Sequence, residues 1–148
     1  MKKQRSMLWA KATAALARRE HSVHELRQKL KSKVEEGDGV VETVISALLK
    51  DDLVNDERFA HMLCRSRYNK GVGPVRLEYE LKQHQISVEI IEQEMFEYKD
   101  RWINQLQKLN ERKYGENRPA SYQAWSKQAR FFQQRGFTSS QIQQAIPR

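Results

Sequence analysis

The sequence contains one cysteine, three prolines and six glycines in 148 residues. The single thiol of Cys64 excludes an internal disulfide framework and a metal site built mainly from thiolates, and this usage is typical of a reducing, cytoplasmic compartment. No window approaches the roughly 18 consecutive apolar residues that a membrane span requires. The basic N-terminus resembles that of a signal peptide, but Lys11 interrupts the apolar stretch that should follow. We therefore expect a soluble cytoplasmic protein that does not contact membranes.

Motifs that carry chemistry are also missing. A phosphate-binding loop is absent, since Gly71-Val-Gly73 is followed by Pro74 instead of the Gly-Lys-Ser/Thr that would hold a phosphate. His61 and Cys64 form an isolated H-x-x-C without a second pair at metal-ligand spacing. We interpret Cys64 as a small buried hydrophobe rather than a nucleophile. The sequence predicts no enzymatic activity, no metal and no cofactor.

What remains is a strongly helical pattern. Apolar residues recur at spacings of three and four, which indicates an all-α protein. Ser22 and Glu25 have the spacing of a capping box, and so do Thr138 and Gln141. Residues 37–39 are expected to end the helix that follows Ser22, and Asp56 is expected to cap a later one.

The helices group into internal copies. Sliding residues 76–95 by 51 positions lays Leu81 on Phe132 and Ile91 on Ile142, and the other matched positions also keep their chemical type. The first part of the chain fits the same pattern more loosely. We therefore predict three tandem three-helix repeats, with boundaries at 1–54, 55–98 and 99–148, in an elongated, curved array. Each repeat should pack chiefly on its neighbours, without a common centre. The terminal repeats depart from the pattern, which indicates capped ends and therefore a monomer.

Positive charge dominates but is segregated. The chain has 27 Lys and Arg against 19 Asp and Glu, a net charge of +8, which favours a polyanionic partner. Successive blocks carry +8 over 1–33, −6 over 34–62, +3 over 63–84, −4 over 85–100 and +7 over 101–148. Stacked repeats would align the basic helices along one side. The alternative is ion pairing between basic and acidic helices within the molecule.

Candidate contact residues follow from shared helix faces. The basic side chains that line up in this way are Lys11 with Arg18, Arg27 with Lys31, Arg101 with Lys108 and Arg112, and Lys127 with Arg130. Most aromatic residues have the spacing of core residues. Tyr68, beside Arg67 and Lys70, is a candidate for stacking on an unpaired base, with packing as the alternative.

The middle of the chain resembles a known family. The run from Phe59-Ala60 through Arg65-Ser-Arg67-Tyr-Asn-Lys70-Gly71-Val-Gly73-Pro74-Val-Arg76-Leu77 to Ile86-Ser87 is similar to the second repeat of the RecX family. The segment 21–30 resembles that family's first repeat, and 113–115 and 131–137 resemble its third. The resemblance spans nearly the whole chain in the expected order.

This resemblance implies a non-enzymatic regulator of the RecA recombinase. Members of the family bind RecA filaments on single-stranded DNA, lie along the filament groove, and restrain strand exchange, ATP turnover and the co-protease role of the filament in the SOS response. It makes Arg65, Arg67, Lys70 and Arg76 the first candidates for contact with the filament or the DNA. Ion pairing with the acidic third helices is their structural alternative.

The chain departs from the family pattern at one position. The family commonly has glycine where this chain has Gln85, and a left-handed backbone there would cost Gln about 1 kcal/mol relative to glycine.

A stand-alone nucleic-acid binder is the second hypothesis, since basic helices can hold phosphates without RecA. A helix-turn-helix repressor is the third, because any three-helix unit contains that geometry.

Overall fold

The computed structural model describes residues 2–35 and 39–148. In these ranges the chain forms nine helices and no strand, which confirms the all-α prediction. The helices are α1 (Lys2–Arg18), α2 (Val23–Lys31), α3 (Val40–Lys50), α4 (Asp56–Asn69), α5 (Pro74–Gln83), α6 (Val88–Tyr98), α7 (Trp102–Tyr114), α8 (Tyr122–Gln134) and α9 (Ser139–Ala145). We refer to α1–α3, α4–α6 and α7–α9 as the first, second and third units.

Side-chain caps begin several of the helices. The Ser22 hydroxyl accepts a hydrogen bond from the Glu25 amide, while the Glu25 carboxylate accepts from the guanidinium of Arg19. The capping box at Thr138 is complete, because the Gln141 side chain also accepts from the Thr138 amide. These two caps therefore lie where the sequence predicts them, although at Ser22 the Glu25 side chain bonds to Arg19 and not to the Ser22 amide, so only half of that capping box forms.

The expected cap at Asp56 is wrong by one residue. Asn55 has an extended backbone, and its side-chain oxygen accepts from the Arg58 amide, so Asn55 is the cap of α4. The carboxylate of Asp56 instead accepts from the Val23 amide at 2.8 Å, at the start of α2. Asp56 thus joins the second unit to the first. Of the turn expected at 37–39, residues 37 and 38 lie outside the described residues.

The same left-handed turn ends four helices. After α3, α4, α5 and α8 the second residue beyond the helix has a positive φ: Asp52, Gly71, Gln85 and Gly136. In each turn the next residue donates its amide to a carbonyl inside the helix, as Ile86 does to Leu81 and Phe137 does to Phe132. Since Gln85 has φ +55, the left-handed backbone considered at this position is present.

Two hydrophobic cores support the three units. The first unit has its own core around Leu8, Leu26 and Leu48. The second and third units share one continuous core, in which Trp102 and Phe137 lie 6.3 Å apart between ring centroids. The expectation of repeats without a common centre therefore holds only for the first unit, because large aromatic residues bridge the other two.

Backbone contact joins the second and third units. The Gly73 amide donates to the Arg135 carbonyl at 2.8 Å, and the Val75 amide donates to the Gly136 carbonyl at 2.9 Å. A Cβ on Gly73 would lie 2.4 Å from the carbonyl carbon of Gly136. Glycine is required here because the two turns approach each other at backbone distance.

The first and second units are linked by ion pairs. Arg58 of α4 lies 3.0 Å from Glu20 and 2.9 Å from Asp52. Glu20 lies in the connection between α1 and α2, and Asp52 lies in the connection that follows α3. The guanidinium of Arg58 therefore contacts two separate segments of the chain. Within the described residues, no helix is long and apolar enough to cross a membrane.

Candidate functional site

Basic side chains converge on a groove between the second and third units. We call it the central groove, and it encloses about 560 Å³. Its lining residues are Arg67, Lys70, Val72, Arg76, Tyr79, Glu80, Gln83 and Arg135. Three of the four basic residues were predicted, and they come from the end of α4 and the start of α5.

Helix α5 forms one wall of the central groove. Arg76, Tyr79 and Gln83 follow one another at spacings of three and four, so they lie on one side of α5. Leu77 and Leu81 are fully buried on the other side and attach the helix to the shared core. Packing of the apolar side therefore presents the polar side to the groove.

Arg135 reaches the groove from the third unit. Its guanidinium donates to the backbone carbonyls of Lys70 and Gly71, 65 and 64 residues away along the chain. Sequence reasoning missed Arg135 because the facing residue is distant in sequence. The backbone contact between Gly73 and Gly136 is what brings it there.

One carboxylate offsets part of this positive charge. Arg67 holds Glu80 through both Nε and Nη2, with a shortest distance of 2.6 Å, and this hydrogen bonding raises the pKa of Arg67. Arg67 is thus ion paired, with a partner in the second helix of its unit and not in the acidic third helix. Lys70 and Arg76 are exposed, and among the described residues neither forms an ion pair. The groove retains a net positive charge.

Arg65 lies apart from the central groove. Residues two positions apart on a helix are separated by about 200° around its axis, so Arg65 and Arg67 point to different sides of α4. Arg65 lines a second groove of about 690 Å³ together with Glu20, Glu57, Arg58, His61, Met62, Ser66, Asn69 and Glu94. We call it the mixed-charge groove. The four basic residues of the middle motif therefore do not form a single site.

Tyr68 is packed in the protein, whereas Tyr79 is exposed. The Tyr68 ring lies 5.2 Å from Tyr98 and 5.5 Å from Trp102, and burial raises the pKa of its hydroxyl. These contacts favour the packing alternative over base stacking. Tyr79 is 64% exposed and lines the central groove. The spacing of Tyr79 from Arg76 was the signal in the sequence that could have identified it.

The first unit has a basic groove of its own. Lys11 and Arg18, which the sequence placed on one helix face, both line it, and Lys29 and Lys33, which the sequence reasoning did not include, join them. Its volume is about 410 Å³. Of the other two candidates in this unit, Lys31 is exposed outside this groove, and Arg27 is paired with Glu42 at 2.8 Å.

The third unit carries its candidate residues on exposed surface outside the central groove. Lys108, Arg112, Lys127 and Arg130 are all exposed on α7 and α8. Arg101 precedes α7 as its N-cap, and its guanidinium lies 5.1 Å from the centre of the Tyr98 ring. These residues add positive charge to the third unit and do not line the central groove.

Cys64 is a core residue. It is fully buried in the core shared by the second and third units, and burial raises the pKa of its thiol to about 12. A thiol with this pKa stays protonated at neutral pH and is a poor nucleophile. The interpretation of Cys64 as a buried hydrophobe is confirmed.

Comparisons with known proteins agree with this architecture. Residues 55–95 match the model of the second three-helix domain of RecX, and residues 100–146 match that of the third. The regulatory protein RecX of Halorhodospira halophila is 37% identical over 134 residues, covering 90% of this chain and 83% of that protein. The regulatory protein RecX of Vibrio parahaemolyticus is 34% identical, covering 98% of this chain and 94% of its own length.

Solved structures show the same fold. The crystal structure of RecX from Lactobacillus salivarius has a TM-score of 0.81 at 21% identity, covering 98% of this chain and 96% of that one. A second crystal structure, of a regulatory protein RecX, has a TM-score of 0.78 at 19% identity and covers 97% of this chain. The tandem three-helix units, the matching domain models and the identity over most of the chain together show that the protein belongs to the RecX family of regulatory proteins.

Proposed function

We propose that the protein is a non-enzymatic regulator that binds RecA filaments on single-stranded DNA. It lowers the recombinase, ATPase and co-protease activities of the filament and so modulates DNA repair, recombination and the SOS response. Membership of the RecX family supports the regulatory role. The observation that carries the contact is the central groove, where Lys70, Arg76 and Arg135 of two units face one space.

The distribution of charge suits a repetitive polyanionic partner. The central groove and the basic groove of the first unit lie on different units of one chain, and each contributes several cations. Two modest contacts made by one molecule give an avidity far above that of either contact alone. A nucleoprotein filament offers such repeated sites, whereas an isolated short DNA does not.

The first experiment measures ATP hydrolysis by RecA on single-stranded DNA. We expect the protein to slow hydrolysis at amounts well below one molecule per RecA, because one regulator bridges or caps several protomers. An unchanged rate at every ratio would exclude the proposed function.

The second experiment tests the central groove by charge reversal. The double variant Lys70→Glu and Arg76→Glu should weaken inhibition about tenfold or more, since it replaces two unpaired cations with anions. Arg67 is left intact because its reversal would place a second carboxylate beside Glu80. The matched control is Lys82→Glu with Lys99→Glu, two exposed lysines outside the groove whose reversal changes the net charge equally. Equal inhibition by both folded variants would remove the central groove from the interface.

A stand-alone nucleic-acid binder is the second candidate, because the same basic groove fits phosphates without RecA. It requires tight binding to naked DNA that falls steeply with salt. Filament binding and naked-DNA binding measured in one buffer distinguish the two functions, because a filament regulator should bind the filament more tightly than it binds the DNA alone. A repressor would in addition require a strongly preferred duplex sequence in a selection assay.

We further propose that the protein acts as a cytoplasmic monomer, since its proposed partner is a filament on chromosomal DNA. Light scattering after size exclusion should give a mass near 17.5 kDa. A stable dimer at micromolar concentration would contradict the monomer.

A further inference from the structure

We propose that the central groove holds a nucleotide of single-stranded DNA directly, with its base stacked on Tyr79 and its phosphates on Lys70 and Arg76. This inference deepens the proposed function and rests on it, since it names what the same groove contacts. It assigns Tyr79 a role in binding bases, which family membership by itself does not assign.

The exposure of Tyr79 is the first observation. Its side chain is 64% exposed although it is a large aromatic residue on a helix whose other face is packed in a core. Tyr68, by comparison, packs on two further rings. Within the described residues no other aromatic ring stacks on Tyr79, so its face is available to a flat ligand. Exposed aromatic rings beside cations are what proteins use to stack unpaired bases.

The chemistry of the surrounding groove is the second observation. Arg76 lies one helical turn before Tyr79, and Lys70 and Arg135 approach from two other segments. The charge of Glu80 is neutralised by Arg67, so it does not cancel these cations. Gln83, one turn after Tyr79, adds an amide that can donate to or accept from a base edge. The groove thus offers cations for the backbone and a ring for the base.

The combination favours a single strand over a duplex. A stacking residue requires a base whose face is not covered by its neighbours, and bases in a duplex are stacked inside it. Phosphates alone would be bound by Lys70 and Arg76 in either form. Tyr79 therefore supplies the preference for unpaired DNA, and the cations supply affinity for both.

Fluorescence anisotropy without RecA tests this inference, using the full chain, a short oligothymidylate and an abasic oligomer of the same length. Tyr79→Ala should lower affinity for the oligothymidylate about fivefold or more, because stacking on one base is lost. It should leave affinity for the abasic oligomer unchanged. Tyr79→Phe keeps the ring and should bind both oligomers as the unsubstituted protein does.

Tyr122→Ala is the matched control, because Tyr122 is also 64% exposed but lies outside the central groove. It should bind both oligomers normally. The inference is overturned if Tyr79→Ala binds the oligothymidylate normally, if it loses affinity equally for the abasic oligomer, or if the unsubstituted protein binds neither oligomer. Inhibition of RecA by the same variants is read separately. Loss of base discrimination with inhibition retained supports the stacking role and leaves the proposed function standing, whereas absence of inhibition by every form, including the unsubstituted protein, rejects only that function.

Discussion

At the scale of single residues, Gln85 shows a local cost accepted by the fold. It occupies the left-handed position after α5, with φ +55, where Gly136 stands in the matching turn after α8. A side chain in this region of backbone conformation costs roughly 1 kcal/mol. The turn forms nonetheless, because Ile86 is buried and its amide bonds to Leu81.

Replacing Gln85 with glycine should therefore stabilise the protein. We expect Gln85→Gly to raise the free energy of unfolding by about 0.5–1 kcal/mol, measured by denaturant unfolding. Asp52→Gly is the comparison, since Asp52 also has φ +55 but its carboxylate accepts from Asn55 and Arg58. That variant should gain less or lose stability. A lower stability of Gln85→Gly would contradict the assignment of strain.

Glu94 is a second residue with a local cost. Its side chain is 13% exposed, and its Oε2 lies 3.6 Å from Nδ1 of His61 without a hydrogen-bond partner in the part of the chain that the structure describes. Burial, assisted by the nearby charges of Glu97 and Glu57, raises the pKa of the carboxyl despite the opposing effect of His61. The folded state therefore holds this proton to a higher pH than the unfolded state does, so ionisation of Glu94 lowers stability as pH rises above the ordinary carboxyl range.

Glu94→Gln removes this ionisation. We expect the variant to be more stable than the unsubstituted protein at about pH 7, with the difference becoming smaller towards pH 4 as Glu94 becomes protonated. Unfolding in denaturant at both pH values measures this. Glu97→Gln, an exposed carboxylate on the same helix, is the control and should show a smaller difference. Identical pH dependence in the two variants would contradict the effect of burial.

At the scale of the elements, two turns in backbone contact determine how the second and third units meet. Gly136 has φ +103, and a Cβ there would lie 2.5 Å from the Cβ of Arg76. The clash involves atoms that cannot rotate away, so α5 or α8 would have to move. The same movement would displace Arg135 from the central groove.

Gly136→Ala should accordingly destabilise the protein by more than about 2 kcal/mol, measured by denaturant unfolding. Gly39→Ala separates backbone strain from the clash. Gly39 has the left-handed conformation, with φ +68, but nothing lies within 4 Å of a Cβ there, so that variant should lose only about 1 kcal/mol. Equal losses in the two variants would show that the contact between the turns contributes nothing.

At the scale of the whole molecule, the basic residues fall into two groups. Some cations pair inside the protein, as Arg27 does with Glu42 and Arg58 does with Glu20. Among the described residues, others in the central groove and in the groove of the first unit form no ion pair. Ion pairing within the molecule, the alternative considered from the sequence, is therefore present at some of the basic residues, and contact with a polyanion stays a prediction for the rest.

Because there are two cores, we expect a core substitution to destabilise mainly the units that share that core. Leu26→Ala removes a fully buried side chain from the core of the first unit, and Phe132→Ala removes one from the shared core. Each should cost about 3–5 kcal/mol where it acts. Amide hydrogen exchange should show Leu26→Ala lowering protection mainly in α1–α3, and Phe132→Ala lowering it across α4–α9. A uniform loss of protection in both variants would contradict the division.

Sequence reasoning predicted the local features of the fold well. The caps at Ser22 and Thr138 were predicted because a cap involves residues three apart. The alignment of Leu81 with Phe132 was predicted because the two residues occupy the same position of the repeated pattern. Both are buried in the structure. Asp56 was misassigned since its partner, Val23, lies 33 residues away.

The sequence by itself determined the helices, the repeated units, the family and the excess of positive charge, because these depend on periodicity and composition within short segments. Only the tertiary structure decided which side chains share a site. It placed Arg135 beside Lys70, separated Arg65 from Arg67, and left Tyr79 exposed. The physical reason is that a site depends on which helix faces the core covers and which turns meet, and contacts between distant segments settle both.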